Sequence, residues 1–237
     1  MTGLVAGYRL AGVTDTLPLF PLSTVLLPGA ALPLHIFEAR YRQLVLDLVN
    51  DVVPDRRFGV VGIRQGWEVG DDNVDSMYDV GCTAVLQQVQ QLPQGRYDIT
   101  ADGEHRFRLL QIDREAAPYL MARVEWLPDT EPAEDPRLAP RLDAAARAAH
   151  ERYHGTGLRG DRYDAPAEDT EVAELSYALA EDCVLSTEDR QDLLAETDPL
   201  ARLRLVRRLL VREAEFLREL RAIPAPLTEF AEQSSRN

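Results

Sequence analysis

The sequence predicts an α+β protein: a mostly antiparallel β pseudo-barrel with one inserted helix, followed by an α-helical bundle that ends in a long helix. Three observations predict it. Short apolar runs, broken by prolines and glycine-containing turns, fill the first half with no crossover helices between them. A stretch over 128–136, with three prolines and four acidic residues, then interrupts the pattern. Every signal after it is helical.

In order, Leu17-Pro18-Leu19-Phe20-Pro21-Leu22 and Leu32-Pro33-Leu34-His35-Ile36 read as two short strands joined through the Pro28-Gly29 turn. Proline donates no ladder hydrogen bond, so these runs belong at sheet edges or bends. A helix follows from about Glu38, with Phe37, Tyr41, Leu44 and Leu48 at i, i+4, i+7 and i+11, and Pro54 stops it. Phe58–Ile63 is a short strand, 64–79 a long loop, and Val80–Val89 the start of a β meander. Pro93-Gln94-Gly95-Arg96 and Asp102-Gly103 carry tight-turn chemistry between the next strands, and Tyr119–Leu127 alternates as the last one. In the second half, Asp135-Pro136 opens a helix to about His154, and 155–169 reads as a loop with three glycines. A helix spans about Thr170–Cys183. Ser186-Thr187-Glu188-Asp189 has capping-box spacing for the next, and Asp198-Pro199 starts the longest, with Leu203, Val206, Leu210, Phe216/Leu217 and Leu220 on one face.

The blocks 17–22, Leu26-Leu27-Pro28-Gly29, Pro33–Arg42, Asp102–Phe107, Val124–Pro128 and Leu185–Pro199 with Arg202-Leu203 together resemble the N-terminal substrate-binding domain of Lon-type proteases, including stand-alone bacterial proteins built from it. The resemblance spans about residues 15–222. It implies a PUA-like pseudo-barrel and a non-catalytic module that binds unfolded or peptide segments of client proteins, as an adaptor for a separate protease. It also brings a second expectation, a small-ligand-binding or enzymatic PUA-like barrel. The implied organisation is a leader (1–14), a barrel (15–128), an acidic linker (129–135), a helical bundle (136–223) and a C-terminal tail (224–237).

Composition narrows the chemistry. The 237 residues contain no lysine and 26 arginines. Without lysine the chain builds neither a Ser-Lys dyad nor a phosphate-binding lysine, and it has no G-x-x-x-x-G-K-[ST] loop. A formal charge of −14 disfavours nucleic acid and anionic membranes as partners. Cys82 and Cys183 have no C-x-x-C partner and read as reduced, buried thiols of a cytoplasmic protein. No run approaches the length of a spanning helix.

The candidate functional residues follow from position. Leu26, Leu27, Trp67 and Met77 lie in or beside turns and are expected to form the peptide-contact surface, by apolar burial or by strand addition at a barrel edge. Seven arginines from Arg202 to Arg221 make the long helix locally basic, and Arg204, Arg207 and Arg208 are the candidate docking set for an acidic partner. Asp102, Glu104 and His105 read as a turn, because neighbouring strand residues point to opposite faces unless a bulge intervenes. His35 is expected to bond within a buried corner, and Glu38 and Arg42 to pair at i, i+4. His150 and His154 have zinc-compatible i, i+4 spacing, but no third ligand is near in sequence and no metal or other cofactor is expected.

Overall fold

The computed structural model describes residues 12–65, 76–133, 135–156 and 165–220. The expected leader, apart from its last residues, Trp67 and the C-terminal tail lie outside them. β1 (Thr14–Leu22) first runs antiparallel to β7 (Met121–Trp126), with Thr14 opposite Glu125 and Pro18 opposite Met121, and then parallel to β3 (Arg57–Gln65), with Leu19 opposite Gly59. The change of partner falls at Pro18, a residue with no N–H to donate. The prolines therefore mark a bend that lets one strand serve two neighbours.

That double service closes the ring. The strand order is β1, β7, β6 (Arg96–Asp113), β5 (Val80–Leu92), β3, and β3 pairs back to β1. The two-residue β4 (Ser76–Met77) extends from β3, and β2 (Ala31–Ile36) pairs with the first half of β6. β6 is the spine, with β5 along one side and β2 then β7 along the other.

The Asp102-Gly103 turn is not formed; both residues lie inside β6. Gly103 is needed instead for close approach. The Gly29 N–H donates to Gly103 O (2.9 Å) and the Gly103 N–H to Ala30 O (2.9 Å), and a Cβ on residue 103 would lie 2.2 Å from Leu27 O. The turn signal at Pro28-Gly29 is borne out, with Gly29 at φ 82°, as is that at 93–95, where Gln94 and Gly95 both take positive φ.

Alternation along β1 fills two cores. Leu17 and Leu19 join Val61, Phe107, Ala122, Val124 and Trp126 in one cluster. Phe20 and Leu22 belong to a larger one that continues through α1 (Ala39–Val49) into the helical half. Tyr41, Leu44, Val45 and Leu48 are the buried face of α1, and Phe20 stacks on Tyr41 at 3.9 Å. Phe37 departs from the expected stripe. It precedes the helix and is 51% exposed, because helical periodicity does not apply before the first turn.

The helical half comprises α2 (Ala139–His154), α3 (Val172–Glu181), α4 (Thr187–Ala195) and α5 (Pro199–Leu220). Asp135-Pro136 opens a short 3-10 turn, Pro136–Leu138, ahead of α2. Ser186 caps α4 as its spacing predicts, accepting the Asp189 N–H at 3.1 Å, a contact typically worth ~1 kcal/mol. Asp198 caps α5 through the N–H groups of Leu200 and Ala201.

The acidic stretch after the barrel is tied down at several points. The Thr130 N–H donates to Thr197 O and the Ala133 N–H to the Asp198 carboxylate. Asp129 is clamped between Arg106 of β6 and Arg202 of α5. Arg202 is 0% exposed. Its guanidinium meets both Asp129 oxygens at 2.8 Å, donates to Ser176 Oγ, Ala173 O and Glu196 O, and lies 4.3 Å from the Tyr177 ring centre. Arg106 also reaches Leu194 O and Glu196 O. Barrel, connecting segment and helices thus meet at one ionic knot, in which two buried arginines hold a partly exposed carboxylate.

Candidate interaction surface

Four of the nine exposed large apolar side chains among the described residues lie on or beside α1; Val13, Leu110, Leu138, Val184 and Phe216 lie elsewhere. Leu46, Val49, Val52 and Phe37 are all exposed, Val52 at 68%. Leu46 and Val49 are three residues apart, so they share a face beside the buried Tyr41–Leu48 stripe. Single exposed apolar side chains are ordinary, whereas several on one short stretch suggest a contact surface. At the N-terminal end of α1 an open cavity of about 500 Å³ is lined by Glu38, Ala39, Arg40, Gln43 and Pro118. The Glu38 carboxylate there pairs with Arg40 at 2.9 Å. The expected pairing with Arg42 gives way, since Arg42 turns to Gln94 O at 3.2 Å.

A second groove of about 350 Å³ runs between the β1–β2 connection and the helical half, bordered by Val25, Leu26, Leu32, Cys183, Val184 and Arg190. Arg190 spans it, donating to Val25 O at 3.2 Å and pairing with Glu181. Val184 beside it is 59% exposed.

The residues expected at a peptide surface are dispersed. Leu27 is 0% exposed and Leu26 is 4% exposed; the turn that carries them folds inward over Gly103, so they are core residues. Met77 is half-buried against the cluster inside the barrel, and Trp67 lies outside the described residues. The exposed Phe37, Leu46, Val49 and Val52 were not among the expected contact residues. Their signal was available in part, because Leu46 and Val49 fall off the helical stripe.

His35 is corrected as well. It is an exposed cross-strand partner of Asp98, with Nδ1 2.6 Å from Oδ1, because residue 35 faces outward in β2 while Leu34 and Ile36 turn toward the core. A bulge does occur at 104–105, where two residues oppose Thr83. Thr83 Oγ1 accepts the His105 N–H at 3.0 Å. The bulge brings His105 Nε2 to 3.7 Å from the Glu104 carboxylate, which Arg57 holds at 2.7 Å. Arg207 and Arg208 are exposed on α5 and Arg204 is half-buried. The other arginines of that helix are not equivalent: Arg202 is buried, and Arg212 pairs with Asp189 and Glu213.

The two histidines of α2 do find a third donor. His150 and His154 bring their Nε2 atoms to 3.2 Å, and Cys183, just beyond α3, places its sulfur so that all three ligand atoms lie within 4.8 Å of one another. No spacing within α2 could show this, because Cys183 arrives through tertiary packing. Burial pushes the His150 imidazole down from 6.5 to about 4, and His154 reinforces the shift; Asp182 opposes it and Arg147 adds to it. Because the folded state resists the proton, stability is fully present above the unfolded value. It falls as pH drops from 6.5 toward 4, by up to about 1.4 kcal/mol per pH unit. Urea titrations across that window should show this slope, and His150→Asn should flatten it. Asp189, held low by the Arg212 guanidinium, loses its contribution only below its ordinary 3.8.

Fold and surface together define a class: a PUA-like pseudo-barrel sharing its core with a helical bundle. Residues 16–212 match the family model described as the ATP-dependent protease La (LON) substrate-binding domain, and the chain belongs to that family. It is 32% identical to Lon protease 1 of Thermus thermophilus over 93% of this chain and 27% of that protein. It is 30% identical to Lon protease 2 of Myxococcus xanthus over 87% of this chain and 24% of that one. The chain therefore spans about a quarter of these relatives' length. Among solved structures it is similar to a Lon N-terminal domain protein from Xanthomonas campestris, with TM-score 0.57, 26% identity, and coverage of 80% of this chain and 95% of that one. The N-terminal domain of Mycobacterium avium complex Lon protease shares the fold, with TM-score 0.58, 16% identity, and coverage of 85% and 98%. Among the described residues no helix is long and apolar enough to cross a membrane.

Proposed function

We propose that this chain is a non-catalytic, cytoplasmic module that binds unfolded or peptide segments of client proteins and presents them to a separate protease. The observation that carries the reading is the set of exposed apolar side chains at Phe37, Leu46, Val49 and Val52, in a chain that belongs to a substrate-binding family. Burying such side chains against an unfolded segment gains roughly 25 cal/mol per Å² of apolar surface before the ordering cost of the client is subtracted. β2 offers a further route, since among the described residues it pairs only with β6, which leaves its other edge for strand addition except at Pro33. Met77, and Trp67 outside the described residues, remain proposed contact residues.

An adaptor needs a second surface for the protease. Arg204, Arg207 and Arg208 on α5 are the proposed docking set, suited to an acidic partner. The small-ligand reading is less favoured, because neither cavity is lined by His35 or His105.

The test is fluorescence anisotropy with a labelled, reduced and carboxymethylated protein as the client. A Leu46→Ser/Val49→Ser/Val52→Ser variant should bind it at least tenfold more weakly with little change in melting temperature, since exposed substitutions shift stability by only about 0.5 kcal/mol each. Arg207→Ala/Arg208→Ala should leave client binding intact. Unchanged binding in the triple variant would remove α1 as the surface. Failure of the wild-type chain to prefer the unfolded client over its native form would end the reading itself.

A further inference from the structure

We propose that His150, His154 and Cys183 form a binding site for a zinc-class transition ion, with the fourth coordination position open to an exchangeable ligand. The His pair is already near coordination geometry. Tetrahedral zinc, with bonds of about 2.0–2.1 Å to nitrogen and about 2.3 Å to sulfur, sets an N···N edge of roughly 3.3 Å and an N···S edge of roughly 3.6 Å. The two Nε2 atoms stand 3.2 Å apart. With one ligand atom from each residue inside 4.8 Å of the others, the sulfur needs to close by no more than about 1.2 Å, one side-chain adjustment.

The frame that carries the ligands is held in place. The histidines sit one turn apart at the end of α2, so their rings project from one face. Cys183 follows α3, where its N–H donates to Ala180 O and Leu185 N–H donates to Cys183 O. The Val184 N–H donates to the Tyr153 hydroxyl at 2.9 Å, which ties the cysteine segment to α2 directly. The Tyr153 ring in turn meets His154 edge-on at 5.6 Å. The ligand set is a mixed one of imidazole nitrogen and thiolate, the type that selects zinc and its neighbours over magnesium or calcium.

Access and proton balance are both defined. His150 and Cys183 are buried while His154 is half-buried, and Cys183 borders the groove beside Val25 and Arg190, which gives the ion a path in. In the metal-free chain the thiol donates to Leu179 O at 3.2 Å. Binding breaks that hydrogen bond, releases the thiol proton to solvent and forms the metal–sulfur bond, so one proton leaves per ion bound. The imidazoles bind as neutral ligands through Nε2, giving up the Nε2···Nε2 contact. Cys82 is an internal control: it is buried on β5, and burial pushes its thiol up to about 12, so it does not compete.

The competing account is that the cluster is only a His–His hydrogen bond beside a buried thiol. Titration of the reduced, chelator-washed chain with Co(II) separates the two. The site predicts one equivalent bound, a thiolate-to-cobalt charge-transfer band in the near ultraviolet, and the intense visible bands of a four-coordinate ion. Zn(II) should bleach them by displacement. Cys183→Ser should abolish the charge-transfer band, His154→Asn should weaken binding at least tenfold, and Cys82→Ser should change neither. His154 is half-buried, so that variant keeps the test readable if Cys183→Ser folds poorly. Absence of stoichiometric binding, or a charge-transfer band that survives in Cys183→Ser, would overturn the proposal.

Discussion

Replacing Asp129 by alanine is expected to cost up to about 3–5 kcal/mol, the range for breaking a buried ion pair by removing one partner, less what solvent screening takes from a side chain that is 30% exposed. Set against the 5–15 kcal/mol of a typical domain, that loss unfolds a large share of the molecules at modest temperature. The size follows from what is left behind. Arg106 and Arg202 are both buried, and Asp129 is the carboxylate they share. Removing it leaves two guanidiniums in a low-dielectric site with only carbonyl and hydroxyl acceptors. Arg202→Ala should be similarly costly, since it strips donors from Ser176 Oγ, Ala173 O and Glu196 O and opens a side-chain-sized void. Urea denaturation read by tryptophan fluorescence and by circular dichroism measures both, with Arg207→Ala on the exposed face of α5 as a control expected within about 0.5 kcal/mol. The two substitutions should also be strongly non-additive when combined, because they remove the same interaction. A loss below about 1 kcal/mol for Asp129→Ala would show that water reaches the knot and screens it. The knot joins β6, the segment after the barrel and the helices, so both probes should report one transition rather than separate melting of barrel and bundle.

Local chemistry made most of the fold legible before any coordinates. Prolines at 18, 21 and 33 announced bent or edge strands, Pro28-Gly29 and Pro93-Gln94-Gly95 announced turns, and Ser186 and Asp198 announced helix starts. Each is a signal that acts within a few residues. The failures arose where one residue type serves two purposes. Gly103 was read as a turn residue, although its role is to let the Leu27–Gly29 backbone pass at contact distance. Asp129 sits in a stretch whose composition describes a solvated linker, and composition carries no information about two arginines folded over it. Arg202 was counted only as one of seven arginines that make the long helix basic, yet it lies one turn before Val206 on the face that α5 buries, and that spacing could have singled it out. The candidate sites were far less legible. Exposure of Val52 and Phe37 depends on what α1 packs against, and the meeting of Cys183 with His150 and His154 depends on how α3 leaves its last turn.

Leu27→Ala is expected to destabilise the chain by about 2–5 kcal/mol, the cost of emptying a fully buried leucine site. Read from sequence as a turn-borne client anchor, the same substitution should have weakened binding and left stability alone, so the two accounts predict opposite results. Leu27 has no exposed surface and belongs to the core that runs from Phe20 through α1 to Leu210. Its carbonyl accepts the Ala30 N–H at 3.1 Å and faces Gly103 so closely that a Cβ there would meet it at 2.2 Å. Backbone and side chain of this residue are thus both fixed, which leaves little room for the cavity to collapse and places the cost toward the upper part of the range. Thermal melts should show a clear drop for Leu27→Ala and almost none for Val49→Ala. Client binding, corrected for the folded fraction, should show the reverse order. A Leu27→Ala chain that melts normally but no longer binds clients would mean that the turn opens in solution and offers this leucine to the client. The contact surface would then lie at the groove between the β1–β2 connection and the helices, and α1 would be a bystander.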